Sequence, residues 1–439
     1  MNLNAIKNDQ VLIDMNSIDS NGSSLKENKN FKLLALSSVL SLFGDQLTLL
    51  TLPWLVLLLT QDPLVLGSVI GTLGLPMSIL ILFGGVLVDR YSAKNILLFS
   101  KLVSSIVVGL IAFLVFLEML TLPLLYLFVF ILGTCTAFML PAATSLLPRI
   151  LKQEQLQSGN AALMFLRSFA SLVGPLLAAY ILGADNEGSS DTEMISLAFA
   201  INAASYIVSS ILISGVLGVK SNKKESNVLK ELLAAFKYVR DQKQLKMVLF
   251  YTALAGVFVS GPLQVASPLL VKEQLGGGGG YFGLIISFGA LGGMIGMMMA
   301  SKYPRIGKLT LGATLLLVDS IVGLTLAAFS LVHDIYIAIS LMLFLQIFIG
   351  YMQVAMMTWI QCQVSEEMLG RVMSIVMFAV VGILPLSASI AGYTLTFFPT
   401  DVLFRISGFS LFSIAVLALL FTQIREIRLP VVYQTAGKT

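Results

Sequence analysis

Twelve stretches of this 439-residue chain are apolar for long enough to cross a lipid bilayer. Their limits fall near 33–60, 64–88, 95–117, 122–148, 158–183 and 195–218, then near 247–271, 281–301, 308–332, 335–361, 371–398 and 402–424. A hydrocarbon core about 30 Å thick takes about 20 residues at 1.5 Å each. Lipid offers no partner to a bare backbone N–H or C=O, so runs of this length must be helices. The chain is 57% hydrophobic and 11% charged, whereas a soluble domain is about one quarter charged. It reads as an all-α polytopic membrane protein, twelve transmembrane helices in two six-helix halves, with the bilayer as its first partner and nucleic acid excluded.

The charges between the runs are lopsided. Of 27 Lys and Arg, all but Lys101, Arg167, Lys272 and Arg405 fall on one side: the N-terminal tail, the loops that follow even-numbered spans, and the C-terminal tail. Lys272 and Arg405 lie on the other side, while Lys101 and Arg167 fall inside spans. The 184–194 loop, "ADNEGSSDTEM", holds four acids and no base. The positive-inside rule therefore places both termini in the cytoplasm.

Five segments follow. Residues 1–32 are polar, lack the apolar core of a signal peptide and read as a disordered cytoplasmic tail. Residues 33–218 form an N-terminal six-helix bundle and 247–424 a C-terminal one, with a second tail at 425–439. Between the bundles, 219–246 carries Leu229, Leu232, Leu233, Phe236 and Val239 at helical spacing among Lys and Arg, an amphipathic helix on the cytoplasmic face. The bundles resemble each other. "GVLVDRY" from Gly85 and "GMMMASKY" from Gly296 both close a span, as Glu154-Gln-Leu156 and Glu367-Met-Leu369 both follow one. Matches at nearly the same shift indicate a parallel six-span repeat, an arrangement found in transporters.

Ionisable residues inside spans are the first candidates for chemistry. Asp45, Lys101, Arg167 and Asp319 each cost about 2.5–3.5 kcal/mol at a helix centre, so each needs a partner or a cavity. Lys101, nearer the cytoplasmic end, is expected to snorkel to the interface. Asp319 suits a hydrogen-bonded structural role as well as a coupling one. Gln346 and Gln353 lie on one face of span 10 with Gly350 and Met357.

The Gly85-x-x-x-Asp89-Arg90-x-x-x-Lys94 knot after span 2, the twelve spans and the basic central loop resemble the major facilitator superfamily over residues 32–425. "FGDQLTLLTLPW", "PAATSLLPRILKQEQLQSGNA" and "EEMLGRVMS" resemble its macrolide-efflux and enterobactin-exporter group of twelve-span drug:proton antiporters. "ASLVGPLLAA" resembles the antiporter motif at Gly174-Pro175, with Ala170, Ala178 and Ala179 where the family carries glycines. The span 2 motif carries Ser92 and Ala93 in place of a glycine and a basic residue.

The resemblance implies that span 2 packs on span 11 through Gly84 and Gly85. Asp89 then faces the positive end of the span 11 dipole, worth about 0.3–1 kcal/mol when exposed. Gly85, Asp89, Arg90, Lys94, Gly174 and Pro175 would form a conformational gate. Spans 1 and 5 would lie side by side, so Asp45 and Arg167 could meet, as a proton-coupling pair or a structural one, with Asp319 a further coupling candidate. Spans 1, 4, 7 and 10 would line a central cavity and offer Gln264, Gln346, Gln353, Phe138, Met139 and Met357 to substrate. Polarisable Met and aromatic walls suit a bulky amphipathic molecule, though the same residues suit ordinary helix packing.

Enzymatic readings fail on the residues. The chain has no Walker A sequence, no H-E-x-x-H and no polar domain able to hold a catalytic core, so no cofactor or metal is expected. Cys135 and Cys362 suggest neither a disulfide nor a metal site. The expected function is a secondary active exporter of the bacterial inner membrane, a monomer moving a small amphipathic drug or siderophore-like metabolite outward by alternating access, in exchange for protons. The alternatives are an importer or facilitator of the same fold, or a non-transporting sensor or scaffold. Reporter fusions or cysteine accessibility should place 184–194 and 272–280 outside and 220–246 inside. A reporter at 220–246 found outside contradicts the orientation.

Overall fold

The computed structural model describes residues 28–152, 155–183, 191–217, 228–303 and 309–428, without the side chains at 82–90, 157, 191, 228–232, 302, 366–367, 370 and 374. Among the described residues the fold is helical, with twelve helices long and apolar enough to cross a membrane. The first six are α1 (Lys29–Leu59), α2 (Pro63–Arg90), α3 (Ala93–Phe116), α4 (Leu122–Ile150), α5 (Leu156–Leu182) and α6 (Asp191–Ser214). The short α7 (Val228–Asp241) lies in the linker. Span 7 is built from α8 (Lys243–Gly261), a π turn (Pro262–Ala266) and α9 (Ser267–Glu273). Then come α10 (Gly279–Lys302), α11 (Leu311–Ala328), α12 (Ile335–Gln363), α13 (Glu366–Leu395) and α14 (Thr400–Phe421).

Side chains cap the starts of a few helices. Asn28 accepts from the Phe31 N–H at 3.0 Å, and Asp334 accepts from Tyr336 and Ile337 at 2.8 and 3.2 Å. The connection after α3 is as tight as its length requires, with Glu118 at φ 54. Span 7 begins at Lys243, taking in residues assigned to the linker from sequence. In α7, Ala235 and Val239 are buried against the bundle, while Leu233 and Phe236, read as part of the same apolar stripe, are exposed.

Twelve crossings put the start of α1 and the end of α14 on one face, here the terminal face; the other is the distal face. In the first set α1 packs on α5 and α6, α3 on α4 and α6, and α2 on α4; in the second α10 packs on α12, α11 on α14, and α8 on α13. The sets join where α2 meets α13 and α5 meets α10. Both junctions close tightly at the distal face. A Cβ on Gly67 would lie 2.5 Å from the Ala388 carbonyl and 2.9 Å from the Gly392 Cα, and one on Gly280 would lie 3.0 Å from the Gly183 Cα. Only glycine lets backbones come this near. Lys272 adds a polar clasp there, its ammonium donating to the Leu57 carbonyl at the end of α1 at 3.2 Å.

Gly84 and Gly85, which the sequence assigns to the α2–α13 approach, fall in the 82–90 stretch outside the described side chains; among the described residues the close contact is at Gly67, Gly71 and Gly74, near the start of α2. Gly67→Ala should therefore destabilise the purified protein by about 1–3 kcal/mol, read as a fall in thermal unfolding temperature. Gly109→Ala, whose Cβ meets only the Ala203 methyl at 3.7 Å, should be tolerated. Equal stability of the two variants contradicts the distal seal.

Candidate functional site

Ser37, Ser41 and Asp45 recur every four residues along α1 and so lie on one face. Tyr206 and Ser209, three apart, share a face of α6, and α6 reaches α1 because Gly44 has no side chain; a Cβ there would fall on Asn202 and Ser205. The seam is hydrogen-bonded along its length. Asn202 Nδ2 donates to Thr48 Oγ1 at 2.6 Å. Tyr206 Oη donates to Asp45 Oδ1. Ser37 and Ser209 share a hydrogen bond of 2.6 Å between their hydroxyls.

Into this seam α3 inserts Lys101. Its ammonium donates to Ser37 Oγ and Ser41 Oγ, each at 3.0 Å, and to Ser209 Oγ. The expectation that Lys101 snorkels is wrong: the residue is 4% exposed and enclosed by the bundle. The reason is energetic. Three hydroxyl acceptors match the three ammonium donors, and hydrogen bonds to a charged group, at about 1.5–3 kcal/mol each, offset the cost of burying it.

Above the seam lies a cavity of about 590 Å³. Asp45, Lys101 and Arg167 are the charged residues on its wall, with Asp45 the one acid among the described lining residues. Thr48, Thr136, Asn202, Tyr206 and Gln264 add polar points to an otherwise apolar surface that includes Leu42, Met77 and Met139. Asp45 and Arg167 share this wall, both exposed to it, but they form no ion pair.

Gln264 reaches the cavity from the π turn of span 7. The turn frees backbone groups, and Ser387 of α13 takes them up, accepting from the Gly261 N–H and donating to the Val257 carbonyl, both at 2.6 Å. A π turn often marks a functional position in a helix.

The remaining sequence candidates lie elsewhere. Phe138 is half-buried off the cavity wall, Gln346 packs beside Gly289 of α10, Gln353 is exposed, and Met357 packs against the core. Asp319 is buried away from the cavity and accepts from Tyr251 Oη at 2.6 Å, linking α11 to α8. Lys94 donates to the Ser214 and Val216 carbonyls at 2.7 and 2.6 Å, capping the end of α6. Gly174 admits Gln46 of α1, and the Pro175 carbonyl lies against Gly283 of α10. The side chains at Gly85, Asp89 and Arg90 lie outside the described residues.

Tyr206, Asn202 and the serine cage escaped sequence reading. Their one signal was polar residues at helical spacing on spans 1 and 6.

Twelve helices of spanning length, with a cavity that carries ionisable groups and is lined from α1 to α6, the π turn and α10, have the architecture of a membrane transporter. Residues 34–384 match the family model of the Major Facilitator Superfamily, and the chain belongs to that superfamily. Macrolide efflux protein A of Streptococcus pyogenes is 24% identical over 229 residues, 51% of this chain and 54% of that protein. The protein of the same name from Enterococcus faecalis is 24% identical over 229 residues, 51% of this chain and 68% of its own. The chain thus spans about half the length of the first of these relatives.

Among solved structures, the nucleoside transporter NupG superposes with a TM-score of 0.69 at 12% identity, covering 89% of this chain and 98% of that one. The D-xylose-proton symporter gives 0.68 at 13%, covering 91% and 99%. A bacterial homologue of the iron transporter ferroportin, in its inward-facing state, gives 0.64 at 16%, covering 91% and 98%. These identities establish the fold alone.

Proposed function

We propose that this transporter is a secondary active exporter of a small amphipathic organic compound, a drug or a siderophore-like metabolite, driven by inward proton exchange. The observation that carries the proposal is Asp45: a carboxylate open to an apolar cavity, held by one neutral tyrosine and forming no ion pair. Such an acid can exchange its proton with the cavity and compete with substrate for the same space. A largely apolar wall with a few polar points suits an amphipathic molecule. The macrolide efflux relatives support the outward direction.

A bacterial plasma membrane and cytoplasmic termini fit the charge bias of the loops. With that orientation the sealed distal face is external, and the conformer described has its outer gate shut at Gly67, Gly280 and Lys272. Asp319, with its hydroxyl partner on α8 and no access to the cavity, braces span 9 against span 7 rather than carrying protons. The second reading is an importer or facilitator of the same fold that uses the same cavity.

Everted membrane vesicles separate the two readings. With rhodamine 6G as probe, export predicts uphill dye accumulation that an uncoupler abolishes. Asp45→Asn should lose that accumulation at least tenfold while keeping downhill exchange. Uncoupler-sensitive uphill transport by an Asp45→Ala/Arg167→Ala double variant removes Asp45 from the mechanism. Accumulation in right-side-out vesicles alone favours the importer.

A further inference from the structure

A charge inside hydrocarbon normally sits beside its opposite. Lys101 does not: every acceptor within hydrogen-bond distance of its ammonium is neutral, namely Ser37 Oγ and Ser41 Oγ at 3.0 Å, Ser209 Oγ, and the Ser37 carbonyl at 3.4 Å. The cage satisfies its donors but leaves its positive charge uncompensated.

The acid placed to compensate it is on the next rung of the seam. Asp45 follows Ser41 by one helical turn of α1, about 6 Å along the axis. Tyr206, which holds Asp45, precedes Ser209, which holds Lys101, by three residues on α6. Both residues line the same cavity, Asp45 exposed to it and Lys101 buried in its wall. The groups that face this pair are few. α6 contributes Tyr206, α5 contributes Arg167, and α4 contributes the buried Cys135 thiol, which interacts with Tyr206. From α2 and α10 the cavity receives only apolar side chains among the described residues, and span 7 supplies Leu263 and the neutral Gln264.

We infer that Lys101 is the resident counter-charge of Asp45, a positioning residue that fixes the pH at which Asp45 gains and loses its proton. The inference rests on Asp45 as the proton-exchanging acid. Arg167 is the obvious candidate for this role from sequence, but it stands on a helix that supplies no hydrogen bond to Asp45, and its guanidinium is exposed to the cavity rather than built into the seam. Lys101 is fixed by three hydroxyls, so its distance to Asp45 is set by the packing of α1, α3 and α6. Loading Asp45 with a proton leaves the seam with one unopposed positive charge; unloading it makes the seam neutral. That difference is what substrate and the opposing conformer would sense.

Infrared difference spectroscopy of the full chain in liposomes tests this without knowledge of the substrate. The titrating protonated-carboxyl band that Asp45→Asn removes reports Asp45 directly. A neighbouring cation favours the ionised carboxylate, and at an effective dielectric constant near 20 a unit charge acting over one to two helical turns, roughly 6–10 Å, corresponds to about one to two pH units. Lys101→Met and Lys101→Gln should move the midpoint of that band alkaline by about this much, and Arg167→Gln should move it less.

Unmoved midpoints in both Lys101 variants overturn the inference, as does a larger movement in Arg167→Gln. Absence of any titrating band assigned to Asp45 also overturns it, while the direction of transport is judged separately by vesicle flux. If Lys101→Met fails to accumulate in the membrane, Asp45→Asn/Lys101→Met should recover abundance, because it removes both charges. No recovery is a further contradiction. Ser209→Ala loosens the cage but keeps the charge, so it should leave the midpoint in place; a midpoint shift as large as that of Lys101→Met would show the cage, not the charge, to be responsible.

Discussion

Polar groups inside hydrocarbon have no water to turn to, and the rest of this structure is arranged around that constraint. Lys101 finds three hydroxyls on α1 and α6. Asp319 finds Tyr251. The backbone freed at the π turn of span 7 finds Ser387. In each set of six, an ionisable residue on the third spanning helix is held by hydroxyls that include those of the first. The charges differ in sign, but the bracing is the same, which accords with an internal repeat. The hydroxyls also fix how α1, α3 and α6 stack, and that stacking shapes the cavity wall on which Asp45 sits.

Close packing supplies the second element of the account. At the distal face, glycines on α2, α10 and α13 bring the two sets of helices into backbone contact, and Lys272 spans from α9 to the end of α1. Contacts made between backbones over few residues can be made or broken as rigid bodies slide past one another. The polar seam is internal to the first six helices and would survive such a movement intact. In the proposed function, proton exchange and the movement at the distal face fall in different parts of the molecule, coupled through the cavity.

Much of this was legible in the sequence. Hydrocarbon thickness fixes span length, so each apolar run emerged within a few residues of its helix, and four residues the sequence singles out, Asp45, Arg167, Gln264 and Met139, lie on the wall of one cavity. What stayed hidden depends on rotation about helix axes. Gln346, Gln353 and Met357 share a helix face, but none of them is among the residues that line this cavity. Lys101 has a position that suits snorkelling, yet the hydroxyls that hold it come from residues 37, 41 and 209, far apart in the chain. The π turn had only Pro262 as a sign, and proline is tolerated in many spanning helices without one.

The central claim is that the carboxylate on the cavity wall trades its proton for substrate. Proton release on binding measures this most directly. The purified protein in weakly buffered detergent solution should release protons when a transported amphiphile such as rhodamine 6G is added, approaching one per molecule bound, and Asp45→Asn should bind the dye with no release. Dye binding by the unaltered protein without proton release, or release that persists undiminished in Asp45→Asn, would contradict the account.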